Sequence, residues 1–164
     1  MLYHKYKPLA SRVYCTGLAL LLVLSEVFSS NVQDTLPGFS RIMRLGLTGC
    51  AVLLLAGKII LLTGYEARWQ KVLIAVVLVY TAFSSWYGGD LWFFLAALIG
   101  LGAKDVDWET ALRVYLVTAV AGLVLVQLLH FATPLMPYKF YCRNWDFGYG
   151  HYNGFGARLV GAFF

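Results

Sequence analysis

Five long apolar runs, separated by short stretches that hold most of the Lys, Arg, Asp, Gly and Pro, leave this chain few ways to fold. A bilayer core takes roughly 20 apolar residues per helix. The runs predict membrane spans over 13–29, 42–63, 72–87, 91–103 and 111–132, and an incomplete sixth over 151–164. The expected fold class is all-α: a single polytopic helical membrane unit. Composition agrees. Of 164 residues, 60% are hydrophobic and only 13% charged, against about 25% charged in soluble domains. Too few charges remain to coat a water-facing surface. A soluble enzyme, a disordered chain and a disulfide-stapled secreted domain are all excluded.

Thirteen Lys and Arg against eight Asp and Glu give a net charge of +5. In a membrane chain such an excess sits in cytoplasmic loops and does not call for nucleic acid. With the N-terminus inside, the inner segments hold Lys5, Lys7, Arg12, Arg68, Lys71, Lys104 and Arg113. The outer ones hold Arg41, Arg44, Lys139 and Arg143. That bias predicts a plasma-membrane protein with a cytoplasmic N-terminus. The basic head before the first run resembles a signal peptide, but Glu26 and Phe28 stand where small residues would mark cleavage, so the first helix is retained. Cys15, Cys50 and Cys142 have no paired spacing and specify neither a disulfide framework nor a zinc site.

Local signals set several boundaries. Asp107 is a good N-cap for the fifth span, with Glu109 in the first turn where the helix dipole favours negative charge. The stretch Asn31–Ser40 contains Pro37-Gly38 and reads as a loop. Tyr87, Gly88, Gly89 and Asp90 form a tight turn joining the third and fourth spans into a hairpin. The fourth span, at about 20 Å, falls short of a ~30 Å core. It is nevertheless read as a crossing, because the charge assignments on both sides depend on it.

Polar groups inside the spans are few. Glu26 lies near the outer end of the first span and is expected to reach the headgroups. Lys58 is expected to snorkel toward the inner surface. Arg41 and Arg44 suit a lipid phosphate or an anionic substrate, or serve as headgroup anchors. Gln127 and His130, three apart, share a helix face. No metal-ligand spacing, phosphate-cradling loop, nucleophile elbow or dinucleotide fingerprint occurs.

The segment from Pro134 to Gly156 stands apart. It is dense in aromatics and glycine and carries Arg143, Asp146, His151 and Asn153. Arginine forks match phosphate oxygens, aromatic faces stack on sugar rings, and a histidine titrating near neutrality can act as a base. A surface loop of this kind suits an anionic, lipid-linked sugar. An interfacial aromatic belt with incidental polar residues has the same composition.

Arg143, Asn144, Trp145, Asp146, Phe147, Gly148, Tyr149, Gly150, His151, Tyr152 and Asn153 together resemble the Arg…Gly-Phe/Tyr-x-His-Pro-Asn element of bacterial polysaccharide polymerases of the O-antigen polymerase/ligase type. Tyr152 stands where that element has proline. Gly102, Ala103, Lys104, Asp105, Val106 and Asp107 resemble the Gly-Ala-Lys-x-Val/Ile-Asp loop of the same group. The resemblance covers 98–158. It implies a protein that joins polyprenyl-pyrophosphate-linked oligosaccharide units at the outer face of the plasma membrane, in exopolysaccharide or capsule assembly. It implies catalytic roles for Arg143 on the pyrophosphate and His151 on the acceptor hydroxyl. Asn153 would position the loop or bind sugar, with Arg41 and Arg44 as further substrate contacts. No cofactor and no metal is implied, since pyrophosphate is itself the leaving group. The partners implied are the lipid-linked glycan, membrane lipid and other polysaccharide-assembly membrane proteins. Family members have more spans, so 1–164 is expected to be the N-terminal portion of such a polymerase and inactive alone. The competing expectation is a small non-catalytic membrane subunit or transporter component, with Glu26, Lys58 and His130 lining a pathway or pairing between helices.

Overall fold

A computed structural model of the chain describes residues 2–28, 30–65, 67–132, 140–141 and 144–145. Its long elements are all helices: α1 (Leu2–Glu26), the single turn α2 (Val32–Thr35), α3 (Pro37–Gly57) continued by a π-helical turn (Lys58–Leu62), α4 (Arg68–Gly88), α5 (Trp92–Gly102) and α6 (Trp108–Ala132). A two-residue antiparallel ladder pairs Phe140 with Trp145 and Tyr141 with Asn144.

Among the described residues four stretches are long and apolar enough to cross a membrane: Lys7–Glu26, Pro37–Leu62, Arg68–Gly88 and Trp108–Ala132. The expected fourth span is not among them. Helix α5 has 11 residues, about 16 Å at 1.5 Å per residue, half of a hydrocarbon core. The expected sixth lies outside the described residues. The exteriors of the long helices are greasy. Leu53, Ile60, Val79 and Phe83 are each exposed, which suits a lipid surround rather than water.

Two boundaries differ from the sequence reading. Helix α1 begins eleven residues before position 13 (13 − 2 = 11) and contains Pro8. Proline has no N–H for the carbonyl four residues back, so one helical bond is lost and only the turn before Pro8 depends on it. The stretch Asn31–Ser40 is not a loop. Its Pro37 opens α3, at the one helical position where a missing N–H is harmless and a fixed φ helps.

The chain divides into two compact units. The first comprises 1–18 and 51–111. Its core is Ala10, Tyr14, Cys15, Leu18, Ala51, Leu55, Ile59, Leu95, Leu98 and Ala111. Helices α4 and α5 pack on each other across the expected turn. Gly89 ends α4 at φ 68°, a left-handed conformation that only glycine adopts freely. Asp90 Oδ1 accepts from the Trp92 N–H at 2.9 Å and Ser85 Oγ from the Phe94 N–H at 3.1 Å, satisfying donors that the start of α5 leaves without helical partners.

The second unit comprises 19–50 and 112–164. Its buried centre is Val32 on Val126, flanked by Val27, Phe28, Leu123 and Leu129. The Phe28 and Phe39 rings lie 6.2 Å apart. On α6, Ala119, Gly122, Val126 and His130 are all buried, and their spacing of three or four makes them one face. Glu26 presses on this face. A Cβ at Gly122 would sit 2.9 Å from Glu26 Cβ. Glu26 is therefore only 6% exposed, against the expectation that it reaches the headgroups. The missing side chain of Gly122 makes the room for it.

Candidate functional site

Arg143, His151 and Asn153 lie outside the described residues, as does Cys142. Of the expected motif only the backbone ladder around 140–145 is placed. Arg41 and Arg44 are both exposed on α3, and a separation of three puts them on one face. Arg44 Nη1 donates to Gln33 Oε1 at 3.3 Å, so the single turn α2 steadies one of the two guanidinium groups. His130 is turned inward and Gln127 is half-buried.

The most completely built polar site is one that sequence reasoning assigned to the surface. Lys58 is 0% exposed. Its Nζ donates to the carbonyl of Gly102 at 2.6 Å and also to that of Lys104. The first is the last carbonyl of α5 and the second lies two residues beyond it, at a helix end where C=O groups have no helical partner and the dipole is negative. A buried ammonium meets both needs. The π-helical turn that begins at Lys58 leaves that residue's own carbonyl to the Thr63 hydroxyl, which donates to it at 3.1 Å.

A second lysine closes the site from the other side. Lys104 Nζ donates to the Gly64 carbonyl at 2.7 Å and stands 4.8 Å above the Tyr65 ring centroid, within cation–π range. Burial pushes the Tyr65 phenol above its ordinary pKa. The neighbouring Thr63 opposes that shift, and the nearby Asp105 charge adds to it. Asp105 itself adopts φ 63°, uncommon outside glycine but tolerated by aspartate. The segments 58–64 and 102–104 are thus cross-tied by two ammonium groups. The arrangement is a clamp of cations on backbone carbonyls. The local signal for Lys58 is a single lysine deep in an apolar helix. Its partners, more than forty positions away, are not readable from spacing.

Next to the clamp, α6 starts as expected. Asp107 Oδ2 accepts from the Thr110 N–H at 3.1 Å and from the Thr110 hydroxyl, while the Asp107 N–H donates to Ser11 Oγ at 3.2 Å. These Thr110 bonds, assisted by the Lys7 charge, hold the Asp107 carboxyl below the usual carboxylate range. Lys7, Ser11, Arg12, Asp107 and Thr110 line a cavity of about 480 Å³.

Among the described residues no three His, Cys, Asp or Glu side chains are grouped to hold a metal ion. No protein-family model, curated protein or solved structure matches the chain.

Proposed function

We propose that the chain works in the plasma membrane as part of a bacterial polysaccharide polymerase that joins polyprenyl-pyrophosphate-linked glycan units at the outer face. In this reading α5 completes a fifth crossing, a sixth begins near position 151, and the N-terminus is cytoplasmic. The observation that carries the reading is the ordered set Arg143, His151 and Asn153 following a long apolar helix, with the Gly102–Asp107 loop before it. The geometry of α6 supports it. Twenty-five residues capped by Asp107 extend about 38 Å, enough to put the loop and the motif on opposite sides of a bilayer.

The chemistry assigned to the motif is glycosyl transfer. His151 takes the proton of the acceptor hydroxyl as that oxygen bonds to the anomeric carbon of the donor. The bond from that carbon to the lipid pyrophosphate breaks, and Arg143 holds the departing pyrophosphate charge. Arg41 and Arg44 add positive charge at the same face, and Asn153 positions the loop or the sugar. In a strain whose glycan length depends on this protein, Arg143→Ala and His151→Ala should each abolish lengthening while insertion is retained. A membrane-impermeant thiol reagent should label Cys142 in intact cells. Wild-type glycan lengths in both variants, or labelling only after lysis, would defeat the reading.

A second reading is a non-catalytic membrane subunit. It is favoured by the burial of Glu26 and Lys58 against protein, which is what pairing between helices requires. It is upheld if glycan length does not respond to the gene at all.

A further inference from the structure

The first compact unit contains a cavity of about 630 Å³ between the π-helical turn and α4, well inside the range of ligand pockets. Its two walls change character in the same sense. Along α4 the lining residues are Lys71, Ile74 and Leu78, spaced by three and four so that they form one face. On the facing wall, Ile59 and Ile60 give way to Tyr65. One end is thus marked by an ammonium and a phenol, and the other is hydrocarbon. Arg68, three residues before Lys71 and also exposed, adds a second cation on the same side of α4. No acidic residue occurs among the described residues lining the cavity.

The depth of the cavity suits its chemistry. Arg68 begins a helix long and apolar enough to span a membrane, so Arg68 and Lys71 fall at one end of the span and Leu78 falls inside it. Trp69, between the two cations, is 64% exposed, as is usual for tryptophan at headgroup level.

We propose that this cavity is a binding site for an anionic phospholipid, with its phosphate on Arg68 and Lys71 and an acyl chain along Ile74 and Leu78 against Ile59 and Ile60. The site rests on the membrane part of the reading above and not on glycosyl transfer. Charge complementarity selects the occupant. A zwitterionic lipid or a second apolar helix would fill the greasy end equally well and leave both cations without a counter-charge among the described residues lining the cavity.

The test uses the intact protein in detergent micelles with phosphatidylglycerol or phosphatidylcholine added, followed by native mass spectrometry. Retention of phosphatidylglycerol should exceed that of phosphatidylcholine. The preference should fall roughly fivefold for each cation removed in Arg68→Gln and Lys71→Gln. Ile74→Trp, which fills the cavity, should abolish retention, whereas Val76→Trp on the exposed side of α4 should not. Thermal unfolding of each variant checks that the fold survives. Equal retention of the two lipids, or no response to Ile74→Trp in a folded variant, overturns the proposal. Full displacement by inorganic phosphate also overturns it, because a site for the headgroup alone would not need the apolar floor. Failure of the protein to float with liposomes removes both this site and the membrane reading. Loss of only the glycan phenotypes of Arg143 and His151 leaves the lipid site standing.

Discussion

Replacing Lys58 with methionine separates two views of a lysine inside an apolar helix. A lysine that snorkels to the surface contributes little, and its replacement changes stability by no more than about 0.5 kcal/mol. Here the ammonium is fully buried and donates to the carbonyls of Gly102 and Lys104. Methionine preserves most of the side-chain volume but donates nothing. The buried Gly102 carbonyl deprived of its donor costs about 1–3 kcal/mol, and the Lys104 carbonyl, on an exposed residue, costs less. Removing a charge that was itself costly to desolvate returns part of that. A net loss of about 1–3 kcal/mol is expected for Lys58→Met. Lys58→Arg should also destabilise, by about 1–3 kcal/mol, because a bulkier head has no free volume around it. The assay is equilibrium unfolding in mixed detergent micelles, with Arg113→Met at an exposed position as the control. A Lys58→Met midpoint equal to that of wild type and of the control would refute the clamp.

Two glycines in helices should respond to alanine with opposite signs. At Gly122 a new Cβ meets Glu26 Cβ and Cγ at 2.9 and 3.0 Å. Overpacking of about 1–3 kcal/mol should outweigh the helix-propensity gain of about 1 kcal/mol. At Gly46 a Cβ meets nothing within 4 Å, so Gly46→Ala should stabilise, and the two unfolding midpoints read against wild type settle the comparison. Gly89→Ala should destabilise the α4–α5 turn through its positive φ, and Gly89→Asn should do so less; cysteine accessibility across the turn reports both. The lowered pKa of Asp107 has a definite sign. The cap's contribution is complete above the ordinary carboxylate pKa of about 3.9 and disappears as pH falls through the lower folded value. Asp107→Asn should keep the cap and lose that acid-side dependence, whereas Asp107→Ala should be less stable at neutral pH, as read from midpoints over a pH series.

What could be read from the sequence follows how local each signal is. The four long apolar runs, the Asp107 cap and the turn at Gly89 and Asp90 are set by residues within one or two helical turns of each other, and the structure has these, whereas the fourth expected span is a helix of only 11 residues. Pro37 misled because proline and glycine together mark a turn as readily as a helix start, and only the hydrogen bonds that follow distinguish the two. Glu26 and Lys58 misled for a different reason. Whether an ionisable side chain near a span end turns outward or inward depends on what faces it. Gly122 and the end of α5 are distant in sequence. The proposal for 143–156 rests on resemblance alone, because no spacing of arginine, histidine and asparagine specifies glycosyl transfer by itself.

The buried lysine and the short helix explain each other. Helix α5 ends after 11 residues, so its last carbonyls come within 2.6 Å of a side chain belonging to the Pro37–Leu62 span. A helix end that is buried needs other protein groups to satisfy its last carbonyls. Lys58 provides that satisfaction from a neighbouring helix, and the π-helical turn starting at that residue is closed in turn by Thr63. A longer α5 would carry its last carbonyls past Lys58 and make the lysine dispensable. Inserting one helical turn of leucine and alanine before Gly102 should therefore lessen the cost of Lys58→Met. An undiminished cost in that background would mean that the lysine's value lies in packing rather than in closing the helix end.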